Sequence, residues 1–189
     1  PRAAPAALAA LILVCGARAV SQTATWTDEE RFYRAALACN PRSPATRAAL
    51  GLTLARAGRD AEAELLLRSA GDDGNWTAWY NLARLAHERG DAKGARARLA
   101  SARAQRPDAP DVLHLAGLFA EEDGREDEAA GLYARAAAAR PFDATARWNL
   151  ARAHARRGRL AQAAAELDAY LRLAPGDEEA RRWRERLPR

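Results

Sequence analysis

The sequence of 189 residues contains few of the side chains that carry nucleophilic or metal chemistry. It has three histidines, two cysteines and no methionine, and the cysteines lack the paired spacing that holds zinc or haem. There is no Gly-rich phosphate-binding loop and no HExxH motif, and no serine or cysteine is placed beside a plausible base. We therefore expect a protein that is not an enzyme and that holds no metal and no cofactor.

The sequence also lacks the alternating Val, Ile and Thr runs that are typical of strands. Alanine is abundant and aromatic residues make up only 6%, a composition that favours closely packed helices. Lys93 is the single lysine, so the net charge of +5 comes from arginines that are interspersed with Glu and Asp. That mixture is typical of solvated helix faces, and we expect no nucleic-acid partner.

Residues 1–19 have the layout of a secretory signal peptide. Arg2 gives a basic start, an apolar run covers residues 3–17, and Ala17-Arg18-Ala19 has the small residues of a cleavage site. The apolar run is shorter than the roughly 20 residues that span a bilayer as a helix. The pattern predicts export to the periplasm or the medium.

Two alternatives remain open for this segment. Ile12-Leu13-Val14-Cys15 resembles a bacterial lipobox, which would place a lipid on Cys15, although Val14 stands where a small residue is usual. The segment could instead stay uncleaved, either as a membrane anchor with the rest of the chain facing the periplasm or as a buried N-terminal helix. Contact with a membrane is expected only through these residues.

The rest of the chain is organised by a 34-residue period, seen in residues 76–109, 110–143 and 144–177. Small residues recur where two helices must touch, a glycine recurs at the turn, and a proline follows the second helix. Such a period indicates stacked helix hairpins. The recurring residues are Trp79, Leu82, Ala83, Gly90, Ala95, Leu99 and Pro107, then Leu113, Ala116, Gly117, Gly124, Ala129, Tyr133 and Pro141, then Leu150, Ala151, Gly158, Ala163, Leu167 and Pro175.

Flanking segments have weaker forms of the same pattern. Residues 44–75 form a degenerate first repeat that is two residues short, and we place the shortfall in a turn-rich loop at residues 71–75. Residues 20–41 are a linker and a half-repeat helix, whose first turn we predict to be a capping box at Thr27-Asp28-Glu29-Glu30. Cys39 is expected to be a small buried residue at the end of that helix. Residues 178–189 are expected to form a capping helix with an apolar stripe of Ala180, Trp183 and Leu187.

Residues 44–177 resemble the tetratricopeptide repeat (TPR) family, and the segment Ala78-Trp79-Tyr80-Asn81-Leu82-Ala83 is close to the A-W-Y-N-L-G that opens a typical family repeat. The resemblance implies an all-α fold, a right-handed α-solenoid of helix-turn-helix hairpins with capping helices at both ends. It also implies a concave groove, lined by the first helix of each repeat, that binds a protein or peptide. The family's groove positions carry Tyr80, Asn81, Arg84, His87, His114, Leu118, Glu121, Trp148, Asn149, Arg152 and Arg156 in this chain.

The resemblance suggests that Asn81 and Asn149 hydrogen-bond a ligand's backbone. The family subtype that clamps the acidic end of cytosolic chaperones uses Lys and Asn at two groove positions. Tyr80 and Arg84 occupy those positions in residues 76–109, and His114 and Leu118 occupy them in residues 110–143, so that subtype is not expected.

Two functional hypotheses follow. The first is a non-enzymatic extracytoplasmic scaffold that binds a partner through its concave groove. The second is a fixed accessory or assembly subunit of a membrane or envelope complex, anchored by its N-terminus. Bacterial relatives of this second class serve pilus assembly or cytochrome maturation.

Overall fold

The computed structural model describes residues 29–188, and within that range it contains ten helices and no strand. The predicted all-α fold is therefore confirmed. The helices are α1 Glu29–Cys39, α2 Pro44–Arg56, α3 Asp60–Asp72, α4 Trp76–Glu88, α5 Ala92–Gln105, α6 Pro110–Glu122, α7 Glu126–Ala139, α8 Ala144–Arg156, α9 Leu160–Leu173 and α10 Glu178–Glu185.

Two sequence predictions lie outside this range. The signal peptide at residues 1–19 is one, and the Thr27-Asp28 half of the predicted capping box is the other. Among residues 29–188, none of the helices is both long enough and apolar enough to span a bilayer. The repeat ranges themselves stay a prediction.

The described part of the chain divides into two compact units, residues 29–78 and residues 79–188, with the division inside α4. In the first unit α2 and α3 form a helix hairpin around Leu50 and Leu54. Tyr33 and Leu37 of α1 pack against this core, so α1 covers the hairpin as a half-repeat helix should.

Two details of the first unit differ from the prediction. Cys39 is exposed rather than buried. It lies two residues after Leu37, and residues two apart point to different sides of a helix, so it faces away from the core. Gly71 and Asp72 belong to α3, so the connection to α4 is shorter than the predicted loop. The chain turns instead at Gly74, which has a φ of 87°.

The second unit has the hairpins α6–α7 and α8–α9 at its centre. Leu113, Tyr133 and Leu150 belong to one continuous buried cluster that the two hairpins share. Gly124 turns the chain between α6 and α7 with a φ of 71°, in the left-handed region that the sequence predicted for it. Helices α5, α7 and α9 end two residues before Pro107, Pro141 and Pro175, as expected of a residue that cannot continue a helix.

Gly117 of α6 makes a very close contact with Tyr133 of α7. A Cβ atom at Gly117 would lie 2.6 Å from Cε1 and 2.9 Å from Cδ1 of the Tyr133 ring, far inside normal contact distance. Tyr133 is only 1% exposed, so its ring has little room to move away. The small residue at this repeat position is therefore required by the neighbouring ring.

Helix α10 covers one end of the second unit. The Asp177 carboxylate accepts from the backbone N–H of Ala180 at 3.0 Å and from the Tyr170 hydroxyl at 2.6 Å, which fixes the start of the helix. Ala180 is fully buried, and Trp183 and Leu187 pack on the same cluster. This confirms the apolar stripe predicted for a capping helix.

The Gly117 contact gives a stability prediction. Gly117→Ala is expected to destabilise the fold by about 1–3 kcal/mol, because the new methyl group overpacks against the Tyr133 ring. Chemical denaturation measures the change. Gly131→Ala in α7 is the matched control, since its new Cβ would meet nothing within 4 Å and should stabilise the helix by roughly 0.5–1 kcal/mol. Equal effects of the two variants would contradict the packing account.

Candidate protein-binding face

The eleven groove residues predicted from the sequence all lie in the second unit, on α4, α6 and α8. On each helix most of them recur at three- and four-residue intervals, which places those residues on one side of it, whereas Tyr80 and Asn81 are adjacent in sequence, as are Trp148 and Asn149. We call this surface the α4–α6–α8 face. Its polar side chains contact one another from helix to helix, and those contacts define the geometry of the site.

Glu121 of α6 is the centre of the largest of these contacts. Its Oε2 accepts a hydrogen bond from the Tyr133 hydroxyl at 2.9 Å. Its Oε1 lies 3.3 Å from Nη2 of Arg152 and also pairs with the guanidinium of Arg156, both on α8. The Glu121 side chain is 10% exposed, whereas those of Arg152 and Arg156 are 39% and 46% exposed. The carboxylate therefore lies behind two guanidinium groups that reach solvent.

The hydroxyl of Tyr133 ionises only with difficulty in this setting. Burial raises its pKa, and the carboxylate of Glu121 that it donates to raises the pKa further. Tyr133 therefore remains a hydrogen-bond donor throughout the physiological pH range, and Glu121 has a permanent partner on the core side.

A second contact joins His114 of α6 to Asn149 of α8. The Asn149 Nδ2 lies 3.2 Å from the His114 Nε2, and Asn149 Oδ1 accepts from Arg152 at 3.5 Å. Burial lowers the pKa of His114, against the opposing influence of Asp143 and Asp111. A neutral imidazole accepts the amide N–H through Nε2. The amide of Asn149 is thus already bonded within the protein.

Helix α4 contacts α6 through His87. Its Nε2 lies 3.3 Å from Oε1 of Glu122, and its ring lies 5.2 Å from that of Phe119. The guanidinium of Arg96 lies 5.1 Å from the ring centre of Phe119 and donates to Asp123 at 2.6 Å. The Phe119 ring therefore contacts both a histidine and an arginine.

The remaining residues of α4 and the start of α6 form the other end of the face. Arg140 donates to both oxygens of Asp111 at 2.7 Å in a two-point contact. Burial, with a contribution from Asp111, raises the pKa of Tyr80. Arg84 pairs with Glu88 one turn along the same helix.

Of two apolar residues predicted for the groove, Trp148 is used in packing and Leu118 is partly exposed on the face. Trp148 packs against Tyr170 and Trp183, with ring centres 5.2 Å away in both cases. Its ring is therefore occupied by the packing of α10 on the end of the unit. Leu118 is half-buried and lies one turn before Glu121 on the same side of α6, so it gives the face an apolar patch.

Sequence reasoning missed several residues that shape the face, namely Tyr133, Arg140, Phe119 and Arg96. The sequence did contain one indication of a contact between neighbouring first helices. Glu121 and Arg152 have opposite charges and occupy groove positions of consecutive repeats, 31 residues apart. Such a pair predicts a contact between neighbouring first helices. The role of Tyr133 had no such signal, because its repeat position indicates only a large core side chain.

Two family models, both described as tetratricopeptide repeat, match residues 69–118 and 120–178, which together make up more than half of the chain. A search of curated proteins found no match.

Three solved structures illustrate the likeness of fold. MamA has a TM-score of 0.61 at 21% identity, over 79% of this chain and 89% of its own. YrrB, described as a TPR protein with an unusual peptide-binding site, has a TM-score of 0.61 at 20% identity, over 89% and 88%. PilF of Pseudomonas aeruginosa has a TM-score of 0.67 at 17% identity, over 86% and 75%. At these identities the likeness establishes the fold alone.

Proposed function

Because the chain belongs to the tetratricopeptide repeat family, we propose that it is a non-enzymatic scaffold that binds a segment of a partner protein on its α4–α6–α8 face. The observation that carries the proposal is the arrangement around Glu121, where two half-exposed guanidinium groups and the apolar Leu118 share one surface. The description of YrrB as a peptide-binding TPR protein supports the same general activity for this fold.

The contacts within the face serve the fold as well as the ligand. Three side chains connect α6 to a neighbouring helix, namely Glu121, His114 and Asn149. Most of their hydrogen-bonding groups therefore already have partners within the protein. Arg84, Arg152 and Arg156 keep more exposed side chains, and we assign them the contact with the partner. Of the two asparagines, Asn149 is assigned to positioning Arg152.

The site of action is part of the proposal. The signal-like layout of residues 1–19 supports export to the periplasm or the medium. N-terminal sequencing of the protein recovered from a native host tests this. A mature start at Val20 is expected, whereas a lipid-blocked Cys15 would replace cleavage with lipidation, and an intact leader would indicate a retained anchor.

The alternative, a fixed accessory subunit of a membrane or envelope complex, is favoured by two exposed apolar side chains outside the α4–α6–α8 face. Leu65 of the first unit is 70% exposed and Phe142, between α7 and α8, is 87% exposed. Leu65 borders a pocket that Leu37, Leu50 and Leu66 also line, and exposed apolar side chains that cluster in this way are typical of interaction sites. Co-purification at fixed stoichiometry that depends on Leu65 or Phe142 would favour this alternative.

Site-specific photo-crosslinking tests the proposed binding face. A photoreactive residue at Leu118 should form adducts with a partner in the native host, while the same residue at the exposed Ala134 of α7 should form none. Reversing the charges of Arg84, Arg152 and Arg156 together should lower the adduct yield roughly tenfold, equivalent to about 1.4 kcal/mol of binding free energy.

The matched control reverses the charges of Arg103 and Arg172, which are exposed and make no ion pair among residues 29–188. This control should leave the adduct yield unchanged. Adducts formed at Ala134 in place of Leu118, or a yield that the three face substitutions do not alter, would refute the assignment of the face.

A further inference from the structure

We infer that Arg152 and Arg156 form a binding site for a carboxylate, and that the partner segment presents an Asp or Glu side chain to them. The inference rests on the proposed function and adds the chemistry of the ligand. Glu121 shows that two guanidinium groups already converge on a carboxylate at this point of the face.

The charges around Arg152 and Arg156 do not balance. Two guanidinium groups face a single carboxylate, so one positive charge is left over at this position. The neighbouring His114 is kept neutral by burial, which lowers its pKa, and Asn149 carries no charge. Glu122, the next acidic residue on α6, lies against His87 and Arg96. No described neighbour on α6 or α8 therefore neutralises the excess.

Arg152 and Arg156 have more hydrogen-bond donors than their contacts within the protein use. Arg152 contacts Glu121 at 3.3 Å and Asn149 at 3.5 Å, both longer than the 2.7–2.9 Å that is typical of charge-assisted bonds. Within residues 29–188, Arg156 makes no hydrogen bond or ion pair beyond its contact with Glu121. A guanidinium has more N–H donors than these contacts use. Both side chains therefore keep donors for a second carboxylate.

The Glu121 carboxylate is nearly buried, whereas the two arginines are partly exposed. Both oxygens of Glu121 are filled, one by the arginines and one by Tyr133, and the carboxylate is nearly buried. It orders the two guanidinium groups from behind while their other edges face solvent. A ligand carboxylate would approach from the solvent side, next to Leu118, so an acidic residue flanked by an apolar one fits the site best.

The gain in affinity for an acidic segment is expected to be small, because both arginines are partly exposed to water. Ion pairs this open to water contribute roughly two- to fivefold in affinity, and salt screens them. The site is therefore expected to give a preference among partner segments rather than tight binding by itself.

The test uses the full chain and two short capped peptides, one of alternating Glu and Ala and one of alternating Gln and Ala. NMR spectra that follow the side-chain Nε–Hε signals of Arg152 and Arg156 report binding at the site directly. The Glu peptide should shift both signals and bind roughly two- to fivefold more tightly than the Gln peptide, and added salt should reduce that difference.

Three variants sharpen the test. The double variant Arg152→Gln and Arg156→Gln should lose the preference for Glu, while Arg172→Gln, an exposed arginine on α9, should keep it. Glu121→Gln should reduce the preference for Glu, because an amide NH2 in place of the carboxylate oxygen no longer orders the two guanidinium groups. A thermal melt of each variant establishes that it is folded.

Equal affinity for the two peptides, no shift of the arginine signals at millimolar Glu peptide, or a preference that survives the double variant would overturn the inference. The photo-crosslinking at Leu118 stays independent of these results. Adducts at Leu118 without a preference for the Glu peptide would support the binding face and contradict only the acidic ligand. An absence of adducts at Leu118 would refute the assignment of the binding face itself.

Discussion

The second unit depends on the contact between Gly117 and Tyr133, where helices α6 and α7 approach so closely that a methyl group would not fit. Because the ring of Tyr133 fills this space, its hydroxyl reaches Glu121, which lies one helical turn beyond Gly117. Glu121 in turn holds Arg152 and Arg156 of the next hairpin. One packing constraint thus extends from the core of a hairpin to charged groups on the surface of its neighbour.

The same polar residues stabilise the array and shape its candidate binding surface. A helix hairpin has an apolar side that only a neighbouring hairpin can bury, and side-chain contacts such as that between His114 and Asn149 fix how neighbours align. Such contacts use up acceptors and amides, but long arginine side chains keep part of their surface in water. The chemistry that remains for a partner is therefore mainly cationic, with Leu118 as the apolar neighbour.

Features governed by local rules could be predicted from the sequence. The turn at Gly124, the helix ends before the recurring prolines and the apolar stripe of α10 each depend on a few adjacent residues, and each has the expected form. Features that depend on contacts between distant residues could not. Cys39 was predicted to be buried because of its residue type, yet its position two residues after Leu37 turns it to the outside.

The candidate site also combines features that the sequence predicts with features that depend on contacts between distant residues. Repeat positions placed Glu121, Arg152 and Arg156 on one face, but the bond from Tyr133 to Glu121 requires the ring to lie against Gly117, which periodicity does not reveal. Trp148 occupies a groove position in the repeat, yet its ring packs on Trp183 because α10 follows the last hairpin. A terminal repeat uses some groove positions to receive its cap.

The claim that Tyr133 positions Glu121 to hold the arginines is tested most directly by a double-mutant cycle. Tyr133→Phe and Arg156→Gln would be made singly and together, and the free energy of unfolding measured by chemical denaturation. The account predicts a coupling of about 0.5–1 kcal/mol, because each substitution weakens the ordering of the carboxylate that the other side chain needs. Effects that add within about 0.3 kcal/mol would contradict it, since the core and the surface arginines would then be independent.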